Sequence, residues 1–161
     1  MQRILNTIWL YILSAILLGA YVYQDVENQD PCSLCVLQRL AMICVAIGPI
    51  MNLKYKILAK HYAISAFGCL FGSAVALRQI CLHICPGSPK FGYPVFGLEL
   101  YTWSFLVFAC SLLGLAVLLF IYKEEKEPLN WFEKVAIALI ALIAFSNMTT
   151  TFMECGLGAC E

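Results

Sequence analysis

The chain has 161 residues, 62% of them hydrophobic and 12% charged, with a formal net charge of zero and a mean hydropathy of +0.84. That is too apolar for a soluble domain of this size, so the composition excludes a water-soluble enzyme and points to an integral membrane protein in the lipid bilayer. No basic stripe remains once the loop charges are assigned to membrane flanks, which excludes nucleic acid as a partner.

The first apolar run covers about residues 4–23, long enough for the roughly 20 residues a helix needs to cross hydrocarbon. Arg3 gives it the basic start of a signal peptide. No small-x-small cleavage pattern precedes the acidic stretch from Asp25 to Asp30, so this span is expected to stay uncleaved.

Next comes Pro31-Cys32-Ser33-Leu34-Cys35-Val36-Leu37-Gln38-Arg39, where one apolar run has ended and another begins. Pro31 cannot extend a preceding helix but fits the start of the next, so Cys32 and Cys35 are predicted at or in its first turn. Unpaired backbone N–H groups and the positive end of the helix dipole favour a thiolate there. Arg39 follows Cys35 by one helical turn on the same face, where its permanent charge can act on the Cys35 sulfur.

Further apolar runs cover about 35–51, 62–80, 100–122 and 131–150, so five spans are expected in a single integral membrane domain over 1–161. Gly48-Pro49 is expected to fray the far end of the second, and Pro128 interrupts the chain between the fourth and fifth. The predicted fold is an all-α membrane protein: a four-helix transmembrane bundle with a fifth transmembrane helix packed on its side. The connection from Cys81 to Leu98 is rich in proline and glycine and reads as turns lying across the membrane surface. Its Tyr93 and Phe96, with Tyr101 and Trp103 beyond, suit an interfacial belt.

Of the nine cysteines, Cys44, Cys69 and Cys110 fall inside apolar runs and read as small hydrophobes. The others form the pairs Cys32/Cys35, Cys81/Cys85 and Cys155/Cys160, all at the edges of apolar runs. With five spans, Arg3, the cluster Lys54, Lys56 and Lys60, and the group Lys123, Lys126 and Lys134 share one side. The basic side is cytoplasmic, so the amino terminus is expected inside and all three pairs outside, where disulfides persist. No metal is expected, because the cysteine spacings do not match zinc-ribbon pairs. His83 reads as a solvated loop residue, and Arg78 as a side chain snorkelling to the interface.

Two stretches carry a resemblance: Cys32, Cys35, Gln38 and Arg39 after a first span, and Phe96-Gly97-Leu98-Glu99-Leu100-Tyr101-Thr102-Trp103 opening a later one. Over about residues 4–122 the chain resembles the DsbB/BdbC family of membrane disulfide-generating oxidoreductases. The resemblance implies a bacterial inner-membrane enzyme that assists disulfide bond formation, in which Cys32 and Cys35 pass electrons to a bound quinone, ubiquinone or menaquinone. It implies that Arg39 binds and polarises that quinone, with Gln38 beside it. Gln79 stands near where some members carry a quinone-side histidine and can still donate a hydrogen bond. A second outer cysteine pair would oxidise a DsbA-like periplasmic thioredoxin-fold partner.

Two pairs compete for that second role. The best-known members keep it in a long loop after the third span, whereas Cys81 and Cys85 are only four apart at the end of that span. Some relatives with a fifth span place a pair near the carboxyl terminus, as in Cys155-Gly156-Leu157-Gly158-Ala159-Cys160. Two glycines let that tail close into a tight loop, while i and i+4 cysteines on a helix are poorly directed for a disulfide, so the terminal pair is favoured. The alternatives are a thiol-reducing or vitamin K epoxide reductase-like enzyme running electrons the other way, and a non-enzymatic cysteine-rich membrane protein.

Overall fold

The computed structural model describes residues 1–27, 32–84 and 94–155, with residues 25, 27, 154 and 155 by their backbone only. Five helices form along the apolar runs: α1 (Gln2–Glu27), α2 (Ser33–Lys54), α3 (Ala59–His83), α4 (Leu100–Phe120) and α5 (Trp131–Cys155). All five are long and apolar enough to cross a membrane. The molecule is the helical membrane bundle expected, because in hydrocarbon only a helix or a closed barrel satisfies every backbone polar group within itself. α2 packs on α1 and α3, α3 packs on α4, and α5 lies against α1 and α2.

Gly48-Pro49 does not fray α2, which continues to Lys54. Proline at position 49 removes the N–H that would bond to the carbonyl of Val45, and the Ser65 hydroxyl on α3 donates to that carbonyl instead, at 2.7 Å. The helix is repaired from outside by its neighbour. Gly48 makes the approach possible, since a Cβ there would lie 2.2 Å from Ser65 Oγ and 2.4 Å from the His61 carbonyl oxygen. Gly72 plays the same part between α3 and α4, where a Cβ would meet the Phe108 ring at 2.2 Å. Small residues at the seams suit a bundle held by close packing and hydrogen bonds rather than by hydrophobic drive, because lipid is as apolar as leucine.

Leu10, Leu13 and Leu17 of α1 join Val45, Ala46, Phe108, Ile140 and Ile143 in one buried cluster. Phe67, Leu70, Leu113, Leu142 and Phe145 point outward and are well exposed, as a lipid-facing surface requires. Cys44 is half-buried, Cys69 buried and Cys110 exposed, and all three are free thiols.

One end of the bundle is polar and tightly tied. Arg3 pairs with Glu133 at 2.6 Å, with side chains 7% and 2% exposed, so neither charge is left alone away from water. Glu133 also accepts the N–H of Asn130 while Asn130 Oδ1 accepts the N–H of Glu133, both at 2.9 Å, a reciprocal cap that starts α5. Asn6 donates to the Tyr62 hydroxyl at 2.9 Å, and Asn52 Oδ1 takes the Leu58 N–H at 3.0 Å and faces His61 Nδ1 at 2.9 Å. In the loops beyond, Lys56 bridges Glu124. The opposite end carries Cys32 and Cys35, at the start of α2.

Candidate functional site

Cys32 caps α2 with extended backbone (φ −73°, ψ 147°), and its Sγ accepts the N–H of Cys35 at 3.1 Å. The pair is closed as a disulfide, with Cα atoms 5.2 Å apart. The cap position predicted for the dithiol is therefore occupied, and an unpaired amide of the first turn points at sulfur. Pro31 lies outside the described residues.

One turn further on, Gln38 and Arg39 diverge. Gln38 is buried and donates its side-chain N–H to Gln79 Oε1 at 2.6 Å. Gln79, 2% exposed on α3, turns its own nitrogen toward both sulfurs, at 3.6 Å from Cys32 Sγ and 3.8 Å from Cys35 Sγ. Arg39 reaches to α1, where its guanidinium lies 4.5 Å over the Tyr21 ring and hydrogen-bonds Gln24 Oε1. Tyr21 and Gln24 are three residues apart on one helical face, a spacing that could have flagged them as partners for a cation. The Tyr21 hydroxyl in turn donates to Asn147 Oδ1 of α5 at 2.9 Å. That contact links the fifth helix to the site.

His83 sits in the last turn of α3 rather than in a loop. Its Nδ1 is 2.8 Å from the Gln79 carbonyl oxygen, which can only accept, so Nδ1 carries a proton directed at it. The ring stacks on Tyr101 at 5.3 Å and 25°. Stacking and a backbone bond give the histidine a fixed place, which a lone histidine in the sequence did not signal.

Before α4 the chain makes a tight turn at Val95–Leu98, closed by backbone bonds of 2.9 and 3.1 Å. Phe96 (φ 51°) and Gly97 (φ 80°) both take left-handed backbone, which a two-residue reversal of this kind requires. Glycine accepts that conformation freely, and phenylalanine pays for it in strain. Trp103 pins the turn to α4 by donating its indole N–H to the Val95 carbonyl at 2.9 Å.

These pieces surround a cavity of about 350 Å³ between α1, α2, α3 and α4. Its walls are mostly apolar, with Ile16, Met42, Leu100 and Val107 among them. The disulfide, Gln38, Arg39, Gln79 and Trp103 supply convergent polar and aromatic groups, the make-up of a small-molecule site. Of the cysteines placed outside this cavity, Cys81 is exposed near the end of α3. Cys155 closes α5 at the same end of the bundle and is described by its backbone only, while Cys85 and Cys160 lie outside the described residues.

A family model described as Disulfide bond formation protein DsbB matches residues 2–91, more than half of the chain. The chain belongs to the DsbB family. The matched region contains the Cys32/Cys35 cap, Gln38, Arg39 and Gln79, and ends before α4 and α5. No match was found among curated proteins or among solved structures. Membership makes this multi-pass chain a disulfide-bond formation membrane protein with disulfide-generating oxidoreductase activity.

Proposed function

We propose that the chain is a protein dithiol:quinone oxidoreductase of the bacterial inner membrane, which reoxidises a DsbA-like periplasmic thioredoxin-fold protein and delivers the electrons to membrane quinone. The observation that carries this reading is the Cys32–Cys35 disulfide opening onto an apolar cavity of about 350 Å³ with Arg39 in its wall. A flat aromatic head group fits that volume and lining, which falls in the usual range for ligand sites. When bound, quinone supplies the oxidising power by accepting two electrons and two protons.

The chain's own groups perform the rest. A thiolate from the outer cysteine pair attacks one sulfur of the Cys32–Cys35 bond, and the other sulfur leaves with the bonding pair. The first-turn amide at 3.1 Å from Cys32 Sγ offsets charge on that sulfur. Arg39, held by Gln24 and the Tyr21 face, places a permanent positive charge where negative charge builds on a bound oxygen. Apolar walls keep water away and so strengthen both effects.

For the outer pair, the terminal Cys155/Cys160 remains the better fit. Residues 79 and 81 on α3 point about 200° apart, so Cys81 faces away from the side on which Gln79 meets the sulfurs, in keeping with its exposure. The gathering of Arg3, Lys54, Lys56, Lys60 and Lys123 at the end opposite the disulfide supports a cytoplasmic amino terminus and a periplasmic redox face.

The test measures partner oxidation and quinone reduction separately in proteoliposomes. Arg39→Ala should lose quinone reduction far more than the first exchange with the partner, and Cys155→Ser or Cys160→Ser should abolish partner oxidation while Cys32/Cys35 still reduce quinone. Unchanged quinone kinetics in Arg39→Ala would remove the cation from the mechanism. A dead Cys81→Ser/Cys85→Ser variant beside active tail variants would hand the shuttle role to the loop pair.

A further inference from the structure

Gln79 has a buried amide with both ends engaged. Its oxygen accepts from Gln38 at 2.6 Å, and its nitrogen lies 3.6 and 3.8 Å from the two sulfurs. An amide offers two N–H donors on one side and only lone pairs on the other, so its orientation decides whether sulfur meets a donor or an acceptor. Gln38 settles that choice. Its N–H occupies the Gln79 oxygen, which would be costly to leave buried and unbonded, and the Gln79 nitrogen is thereby turned to the disulfide.

We propose that Gln79 is the donor that stabilises the thiolate formed when the Cys32–Cys35 bond opens, and that Gln38 acts through it as the residue holding the amide nitrogen-first toward sulfur. The inference rests on Cys32/Cys35 being the redox pair, and it does not depend on what finally takes the electrons. In the exchange, an incoming thiol loses its proton to solvent and its sulfur bonds one cysteine of the pair. The Cys32–Cys35 bond breaks, and its electron pair stays on the other cysteine as a thiolate. The Gln79 nitrogen lies within reach of both sulfurs, so the N–H turned toward them can serve whichever one leaves. Cys32 has the Cys35 amide in addition, so Cys35 is the sulfur that depends on Gln79 more. The Gln at the third position after the second cysteine thus acquires a reason: from the helix turn that bears Cys35 it reaches across to the amide that faces both sulfurs.

Other titratable or charged groups face the same cavity or stand beside it. Arg39 from α2, Tyr23 from α1 and Tyr101 from α4 line the cavity, and His83 stands one turn beyond Gln79 on α3. They remain in place in every variant of the test, so the comparison isolates the two glutamines.

The experiment uses the full-length protein purified free of quinone and reduced anaerobically, with thiolate followed by its ultraviolet absorbance across a pH series. The titration of a Cys32→Ser/Cys35→Ser protein is subtracted, so that the difference reports this pair among the nine cysteines. Gln79→Met keeps the volume and removes the donor, and it should raise the apparent thiol pKa by about one to two units, the size of a charge-assisted hydrogen bond. Gln38→Met, whose side chain is bonded to Gln79 and not to sulfur, should raise it by less. The double variant should rise no further than Gln79→Met alone, because the two residues act as one unit. An unchanged pKa in a Gln79→Met protein that melts like wild type overturns the proposal, and so do fully additive shifts. Should Gln79→Met not fold, Gln79→Asn draws the amide back by one methylene and is read in its place, with the same expected direction. A wild type that reduces no quinone would defeat the proposed function and leave this result standing, whereas a flat thiol titration would do the reverse.

Discussion

Arg39 carries a permanent charge at the edge of a hydrocarbon slab, a position that is expensive unless partners share the charge. Here the sharing is done by α1, through the Gln24 oxygen and the face of Tyr21. Tyr21→Leu removes that face, worth about 1 kcal/mol for a cation over an aromatic ring, and should weaken quinone affinity roughly fivefold. Tyr21→Phe keeps the face but drops the bond to Asn147, so its loss should be smaller. Titrating quinone into the two variants separates the contributions, and equal losses would mean that the hydroxyl, not the ring, does the positioning. The cysteine spacing and Arg39 could be read from the chain directly, because both are local and lie within one or two helical turns. Gln79 could be singled out, but its direction could not be foreseen, since it is set by Gln38 forty-one residues earlier.

At the level of the helices, α2 and α3 approach so closely at Gly48 that any side chain there must displace backbone. Gly48→Ala should cost about 1–3 kcal/mol of stability, as overpacking does, and Ser65→Ala should cost about 1 kcal/mol by orphaning the Val45 carbonyl. Unfolding titrations in mixed micelles would measure both. Two ion pairs give a sharper contrast. Glu133→Leu leaves Arg3 buried beside an apolar group and should cost about 3 kcal/mol, whereas Lys56→Ala breaks an exposed pair and should leave the unfolding midpoint unchanged. In the exposed pair, the hydrogen bond and charge of Glu124 raise the Lys56 pKa, and those of Lys56 lower the Glu124 pKa. The lowered carboxyl contributes only above its unfolded pKa and loses that contribution as pH falls through its folded value. The raised ammonium contributes below its unfolded pKa and loses it as pH climbs through its folded value. The loop contact should therefore hold across the neutral range and disappear toward both extremes, which exchange rates of the Ile57 amide, bonded to Glu125, would follow.

For the molecule as a whole, the span count was legible because twenty-residue apolar runs have few other uses, and the helical bundle followed from it. The continuation of α2 through Pro49 was not legible, since the hydroxyl that repairs it arrives from another helix. Nor was the pairing of Arg3 with Glu133, which the chain separates by 130 positions. Topology has its own test: in intact spheroplasts, reduced Cys155 and Cys160 should react with a membrane-impermeant maleimide, and reaction only after lysis would place the tail inside and remove it from the relay. The tryptophans offer a way to watch the site without touching it. Of the three, Trp9 lies in the first half of α1 and Trp131 begins α5, toward the far end of the bundle, while Trp103 stands in the cavity wall. An indole so placed is a built-in optical reporter. Ultraviolet emission should be quenched in part when an electron-poor ring enters the cavity, and Trp103→Phe should silence that response while leaving the other two emitters lit.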